Sequence, residues 1–149
     1  MPNETISVMA TCHTLINLDD EIIGDPLEKV TLQTIDWTVT KNESVVPKKN
    51  NKNLNGWKIY QRFHFSSALK RMSVVAGHTK AAGDTQYIAS CKGAPEVLKS
   101  MLKNLPPNYD EIYLHYAREG ARVLCLGHKE LGNLSSQQVS EEICDLETF

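Results

Sequence analysis

The residue pattern is that of an α+β domain, an antiparallel β-sheet flanked by helices. Apolar and polar residues alternate from Trp57 to Phe65, and two more strand-length segments, Met72–Ala76 and Gln86–Cys91, follow through a turn-rich connection of hairpin type. Helix-start signals stand before and after this block, at Asp25-Pro26-Leu27-Glu28 and at Ala94-Pro95-Glu96. The 149 residues, 41% of them hydrophobic, suit one domain spanning 1–149 that buries its own core without disulfides or metal.

Taken in order, residues 4–16 place Ile6, Met9, Ala10 and His13 at the i, i+3, i+4, i+7 spacing of a short amphipathic helix, with Cys12-His13 as a core pair. Leu18–Gly24 reads as an acidic loop. Asp25 then suits an N-cap, Pro26 takes N1 where a missing N–H costs nothing, and Glu28 at N3 is placed to fold back onto the cap; this helix is expected to run to about Asp36. Residues 41–56 are Asn- and Lys-rich and low in complexity, and are expected to be a mobile surface loop with Lys48, Lys49 and Lys52 as solvated charges.

The first strand of the central block carries Trp57, Ile59, Gln61, Phe63 and Phe65 on one face. After the next two strands, Lys92-Gly93-Ala94-Pro95-Glu96 ends the sheet and opens a helix to about Lys103, with Pro106-Pro107 as a stop. Tyr109–Glu119 reads as a further helix, Gly120 as its left-handed C-cap, and the apolar Ala121–His128 as a central strand. Ser135-Ser136-Gln137-Gln138 resembles a capping box for a last helix, and Cys144–Phe149 reads as a strand or linker. No internal repeat is present.

Charge and composition exclude several classes. With 16 Lys+Arg against 18 Asp+Glu, the net charge of −2 leaves no surplus of cations for tracking nucleic-acid phosphates. No run approaches the ~18 apolar residues of a membrane helix, so no direct membrane contact is expected, and the polar start Met-Pro-Asn-Glu has no signal-peptide character. Cys12, Cys91, Cys125 and Cys144 stand far apart without a CxxC pair and read as reduced thiols of a cytosolic compartment. The histidines His13, His64, His78, His115 and His128 form no triad or ligand set by spacing, and no metal site is expected.

Three separated stretches carry a resemblance: Phe65-Ser-Ser-Ala-Leu-Lys70-Arg71-Met72-Ser73-Val74, Lys92-Gly93-Ala94-Pro95-Glu96 and Gly120-Ala121-Arg122-Val123-Leu124. Together with Cys12-His13-Thr14-Leu15 and Gly24-Asp25-Pro26-Leu27-Glu28, they resemble the nucleotide-binding domain of P-type ATPases, membrane pumps that phosphorylate an aspartate during transport. The matches span roughly residues 9–130 in the family's order. The fuller run from Phe63 to Val74, Glu119–Leu124 and the later Lys129-Glu130-Leu131-Gly132 look most like the type-V branch, subclass A, of the endoplasmic reticulum. A Ser-Glu-His-Pro motif of the heavy-metal branch is absent from the sequence.

Each residue has a plain reading beside the implied one. Phe65 continues the alternating face of its strand and so reads as core, whereas the resemblance makes its ring a platform for adenine. Lys70 looks like any turn lysine; a flexible cation there also reaches a phosphate. Lys92 follows an apolar strand and precedes Gly93, which lets backbone approach a ligand closely; the resemblance places both at the adenosine pocket. Glu28 is explained by capping alone, while the resemblance assigns it to the exocyclic amine of adenine. Arg122 is either the solvated end of a strand or, as the resemblance implies, a fork for polyphosphate.

The family's Asp-Lys-Thr-Gly-Thr phosphorylation motif is absent from the sequence, so no catalytic residue is expected here. The resemblance implies a monomeric domain that binds ATP, as Mg-ATP in the intact pump, and delivers the γ-phosphate to a separate phosphorylation domain, with an actuator domain as further partner. It implies a place at the cytosolic face of the endoplasmic-reticulum membrane and, for subclass A, an ATP-driven dislocase of misplaced transmembrane helices. Another P-type cation pump is the alternative within the family. A non-nucleotide protein-interaction module is the alternative outside it, and such a module has no need to gather Phe65, Lys92 and Arg122 into one pocket.

Overall fold

The computed structural model describes residues 1–48, 56–80, 83–134 and 138. It opens with α1 (Asn3–Thr11), a small hairpin of β1 (Ile16–Leu18) and β2 (Glu21–Ile23), and α2 (Pro26–Thr34). A six-stranded antiparallel sheet follows in chain order: β3 (Trp37–Val39), β4 (Ser44–Pro47), β5 (Trp57–Ser66), β6 (Arg71–Thr79), β7 (Thr85–Gly93) and β8 (Cys125–Gly132). Two helices, α3 (Pro95–Leu98) and α4 (Tyr109–Arg118), lie between β7 and β8. The α+β architecture expected from the sequence is the one observed.

The sheet is covered on both faces, which explains its sequence. On one side Met72, Val74, Ala76 and Ile88 pack with Val8 and Ala10 of α1, Leu32 of α2, and Trp37, Val39, Val45 and Ile59. On the other, Val75, Tyr87, Ala89 and Cys91 pack against Leu98 and Met101. With both faces buried, β6 and β7 lose the alternation of a half-exposed strand and read as apolar runs. The pair runs in unbroken register from Arg71 opposite Gly93 to Thr79 opposite Thr85. One buried polar contact crosses the first face, the Thr11 hydroxyl on Ser90 Oγ at 2.8 Å.

Several elements differ from the sequence expectation. The Leu18–Gly24 loop contains β2, closed by Asp19 and Asp20 at positive φ. The 41–56 segment is not loop throughout: Ser44–Pro47 forms β4, whose Val45 is fully buried, and residues 49–55 lie outside the described residues. The first helix ends at Thr11, so Cys12 and His13 are buried just beyond it rather than on its face. The helix opened by Pro95 ends at Leu98, short of Lys103. The last strand begins at Cys125 instead of Ala121 and is an edge strand among the described residues, not a central one. The helix expected after Ser135 and the segment Cys144–Phe149 fall outside the described residues, save Gln138.

Helix α4 is amphipathic but buries none of its residues. It is tied to the sheet side by the Tyr109 hydroxyl on the Pro95 carbonyl at 2.9 Å and by a Lys99–Asp110 ion pair. Gly120 takes φ +85 after it, as a left-handed cap requires. The chain then runs through Arg122 to β8.

Candidate functional site

One end of the sheet gathers four separate pieces of chain: the start of α2, the β5–β6 turn, the β7–α3 turn and the stretch between α4 and β8. They enclose a cavity of about 510 Å3 lined by Glu28, Phe65, Lys70, Lys92, Gly93 and Arg122, with Thr14, Asp25, Leu27, Met72, Ala94 and Leu124 completing the walls. Phe65, Lys92 and Arg122 thus share one cleft instead of lying on different faces.

Phe65 reaches the cleft because β5 is irregular at its end. Phe63 pairs with Ser73 and Ser66 with Arg71, so three residues of one strand span two of the other. Such a bulge re-aims the side chains beside it. The ring of Phe65 is 59% exposed, which overturns its reading as a core residue.

Glu28 does not complete a capping box. Asp25 caps α2 by itself, its Oδ1 accepting from the N–H groups of Leu27 (2.8 Å) and Glu28 (3.2 Å). The Glu28 carboxylate instead faces the cleft wall. Oε2 accepts from the backbone N–H of Thr14 at 2.9 Å and from its Oγ1 at 2.8 Å, and Oε1 accepts from Lys92 Nζ at 2.5 Å. Burial alone raises the pKa of this carboxyl, but the hydrogen bonds from Lys92 and Thr14 outweigh it and hold the group below its ordinary value. Glu28 is therefore ionised and able only to accept.

Lys92 stands opposite Met72 in the β6–β7 register, and its side chain remains 20% exposed at the cleft. Gly93 lines the cleft, and its missing side chain makes room for protein as well. A Cβ there would lie 2.6 Å from the Lys70 carbonyl oxygen, 2.8 Å from Arg71 Cβ and 2.8 Å from Leu98 Cδ1. The same Lys70 carbonyl accepts from the N–H of Ala94 at 3.0 Å, so the two turns are locked together at this glycine. Lys70 sits at φ +48, its N–H on the Ser66 carbonyl and its Nζ 3.6 Å from Glu96. Arg122 precedes β8 in a segment without helix or strand, is exposed, and has no ion pair or hydrogen bond among the described residues.

Sequence reasoning missed Thr14 as a partner of Glu28 and the apolar walls Leu27, Met72 and Leu124. Thr14 lies in the Cys12-His13-Thr14-Leu15 stretch, but nothing local signals a hydroxyl that bonds 14 residues away. His13 beside it is 2% exposed and adjoins a smaller cavity of about 230 Å3 behind Glu28 and Lys92. Its Nδ1 accepts from the N–H of Leu15 at 3.1 Å, so the neutral ring carries its proton on Nε2. Burial, then the charge of Arg62, push its pKa down to about 4.

The fold is an α+β domain with one cleft at an end of its sheet, and comparison with known sequences supplies the family. A model of the cytoplasmic N domain of P-type ATPases matches residues 6–105. The chain belongs to the P-type ATPases, as their N domain. It is 40% identical over 134 residues to a protein of Arabidopsis thaliana named as a probable manganese-transporting ATPase, covering 90% of this chain and 11% of that protein. It is also 40% identical over 141 residues to an endoplasmic reticulum transmembrane helix translocase of Saccharomyces cerevisiae, covering 94% and 11%. A polyamine-transporting ATPase of Mus musculus is 27% identical over 161 residues, covering 87% and 13%. The resemblance to the endoplasmic-reticulum branch is thus found again in whole-chain similarity. The chain spans about a tenth of the length of these relatives. No helix among the described residues is long and apolar enough to cross a membrane.

Proposed function

We propose that this domain binds ATP, with the adenine ring on Phe65, its 6-amino group on Glu28 Oε1, and the phosphates toward Lys70 and Arg122. The observation that carries the reading is the convergence of an exposed aromatic ring, an ionised carboxylate and three cations from separate chain segments on one cleft. Its volume lies within the range of small-molecule sites. An aromatic face beside a base is worth about 1–3 kcal/mol. With one stack and a few polar contacts, the dissociation constant is on the order of 0.1–10 mM, about 3–5 kcal/mol.

ATP supplies the phosphoryl group; these residues bind and orient it. Lys92 holds Glu28 in its ionised state, and Arg122, whose fork matches phosphate oxygens, is the cation best suited to the polyphosphate. In the intact pump the domain presents the γ-phosphate of Mg-ATP to the catalytic aspartate of the phosphorylation domain, and alone it turns over none. The whole protein is, on this reading, an endoplasmic-reticulum pump acting on transmembrane helices, with this domain a monomeric unit on the cytosolic side.

An amide NMR titration with ATP and then AMP tests the binding. Saturable shifts around Glu28, Phe65 and Lys92 with both nucleotides are expected, and are lost in Phe65→Ala. No shifts at about 10 mM ligand, the weak end of the range above, overturn the reading.

A further inference from the structure

We propose that Thr14 is a positioning residue for the base contact: it holds the Glu28 carboxylate in one orientation, so that the cleft accepts a 6-amino purine and refuses a 6-oxo purine. This rests on the adenine reading of the cleft. A glutamate at the start of a helix has three rotatable side-chain bonds and, unheld, turns its oxygens to whatever donor a ligand presents. Glu28 is not free to do so.

Both acceptor positions of Oε2 are taken by one residue, through the N–H and Oγ1 of Thr14 at 2.9 and 2.8 Å. Thr14 itself is fixed, since it lies between the buried His13 and the fully buried Leu15. Lys92 Nζ occupies one side of Oε1. Of the carboxylate's four acceptor positions, one on Oε1 is left for a ligand in the cleft that Glu28 lines. Its carboxyl is held in the ionised form by the same three donors, so it has no proton to offer.

A 6-amino purine presents an N–H donor at the position such an acceptor needs. A 6-oxo purine presents an oxygen there, and its nearest donor is N1–H, one ring position away. A carboxylate able to swing follows that displacement; one clamped at Oε2 and Oε1 does not. Specificity of this sort comes from rigidity as much as from the hydrogen bond itself. The Thr14 hydroxyl touches no ligand on this account, and its influence passes through Glu28.

Titration of the chain with ATP and ITP, nucleotides that differ in the base at position 6, tests the proposal in wild type, Thr14→Val and Thr14→Ser. Wild type is expected to prefer ATP by roughly 10-fold or more, the worth of one charge-assisted hydrogen bond made or lost. Thr14→Val keeps the backbone N–H but loses the hydroxyl, and its preference is expected to fall to about 3-fold or less, chiefly through tighter ITP binding, with Thr14→Ser restoring it. A general loosening of the fold weakens both nucleotides alike and leaves their ratio unchanged. An unchanged ratio in Thr14→Val, with ATP still bound at Phe65, overturns the role of Thr14 and spares the adenine reading. Absence of ATP binding in wild type overturns both.

Discussion

Replacing Gly93 by alanine tests how the cleft is built. The added methyl meets the Lys70 carbonyl oxygen at 2.6 Å and Arg71 Cβ and Leu98 Cδ1 at 2.8 Å, all closer than a methyl tolerates. None of these neighbours is free to give way: the carbonyl is a backbone group already bonded to Ala94, Arg71 is paired opposite Gly93 in the sheet, and Leu98 is 1% exposed. Overpacking of this kind costs about 2–3 kcal/mol, in the upper half of its usual range. The loss of unfolded-chain entropy on Gly→Ala offsets about 0.4–1 kcal/mol of that. A net destabilisation of roughly 1–2.5 kcal/mol remains, which for a domain of this size lowers Tm by about 2–10 °C. Urea unfolding followed by circular dichroism measures it, and ATP titration of the folded variant is expected to show weakened binding because Lys70 is displaced. A Gly93→Ala protein as stable as wild type refutes the claim that this glycine exists to let the two turns meet.

Further substitutions separate binding from folding. Phe65→Ala is expected to weaken ATP and AMP alike by about 5–150-fold, the equivalent of the stacking energy, while stability by urea unfolding stays within about 0.5 kcal/mol because the ring is mostly exposed. Arg122→Ala is expected to weaken ATP by about 3–10-fold and leave adenosine unaffected, as removal of one charged contact to phosphate predicts; equal loss for both ligands in a calorimetric titration contradicts it. Stability is expected to fall with acid: His13 is neutral in the folded protein down to about pH 4, whereas the unfolded chain binds the proton from about 6.5. The unfolded state therefore gains protons first as pH drops through that window, at a cost of about 3 kcal/mol by pH 4, to which the depressed carboxyl of Glu28 adds further loss below its unfolded pKa. Urea midpoints of His13→Gln are expected to vary less between pH 6.5 and 4 than those of wild type, and equal slopes refute this.

What the sequence made legible follows the reach of each interaction. The helix start at Asp25-Pro26 and the cap at Gly120 are set by neighbours within four residues, and both are where the pattern puts them. The strands β5 to β7 are visible from composition, but β6 and β7 extend beyond their apolar runs because Arg71, His78 and Lys92 pair in the ladder without looking like strand interiors. Strands β3 and β4 are three and four residues long, too short for a period to declare itself. The displacement of β8 to Cys125 has a different cause: Leu124 is apolar where it lines the cleft, outside the strand pairing. All six expected site residues line one cavity, but the local pattern does not disclose the contacts that Glu28 and Gly93 make. Glu28 exchanged a local cap for partners 14 and 64 residues away, and Gly93 proved to accommodate a carbonyl of the protein. Long-range pairing of this kind leaves no mark on a local pattern.

The adenine position is the centre of the account, and intermolecular nuclear Overhauser effects in the ATP-saturated domain test it most directly. Contacts from adenine H2 or H8 to the ring protons of Phe65, with none to the neighbouring ring of Phe63, are the predicted result. Adenine contacts confined to other residues, such as the exposed face of α4, would contradict it.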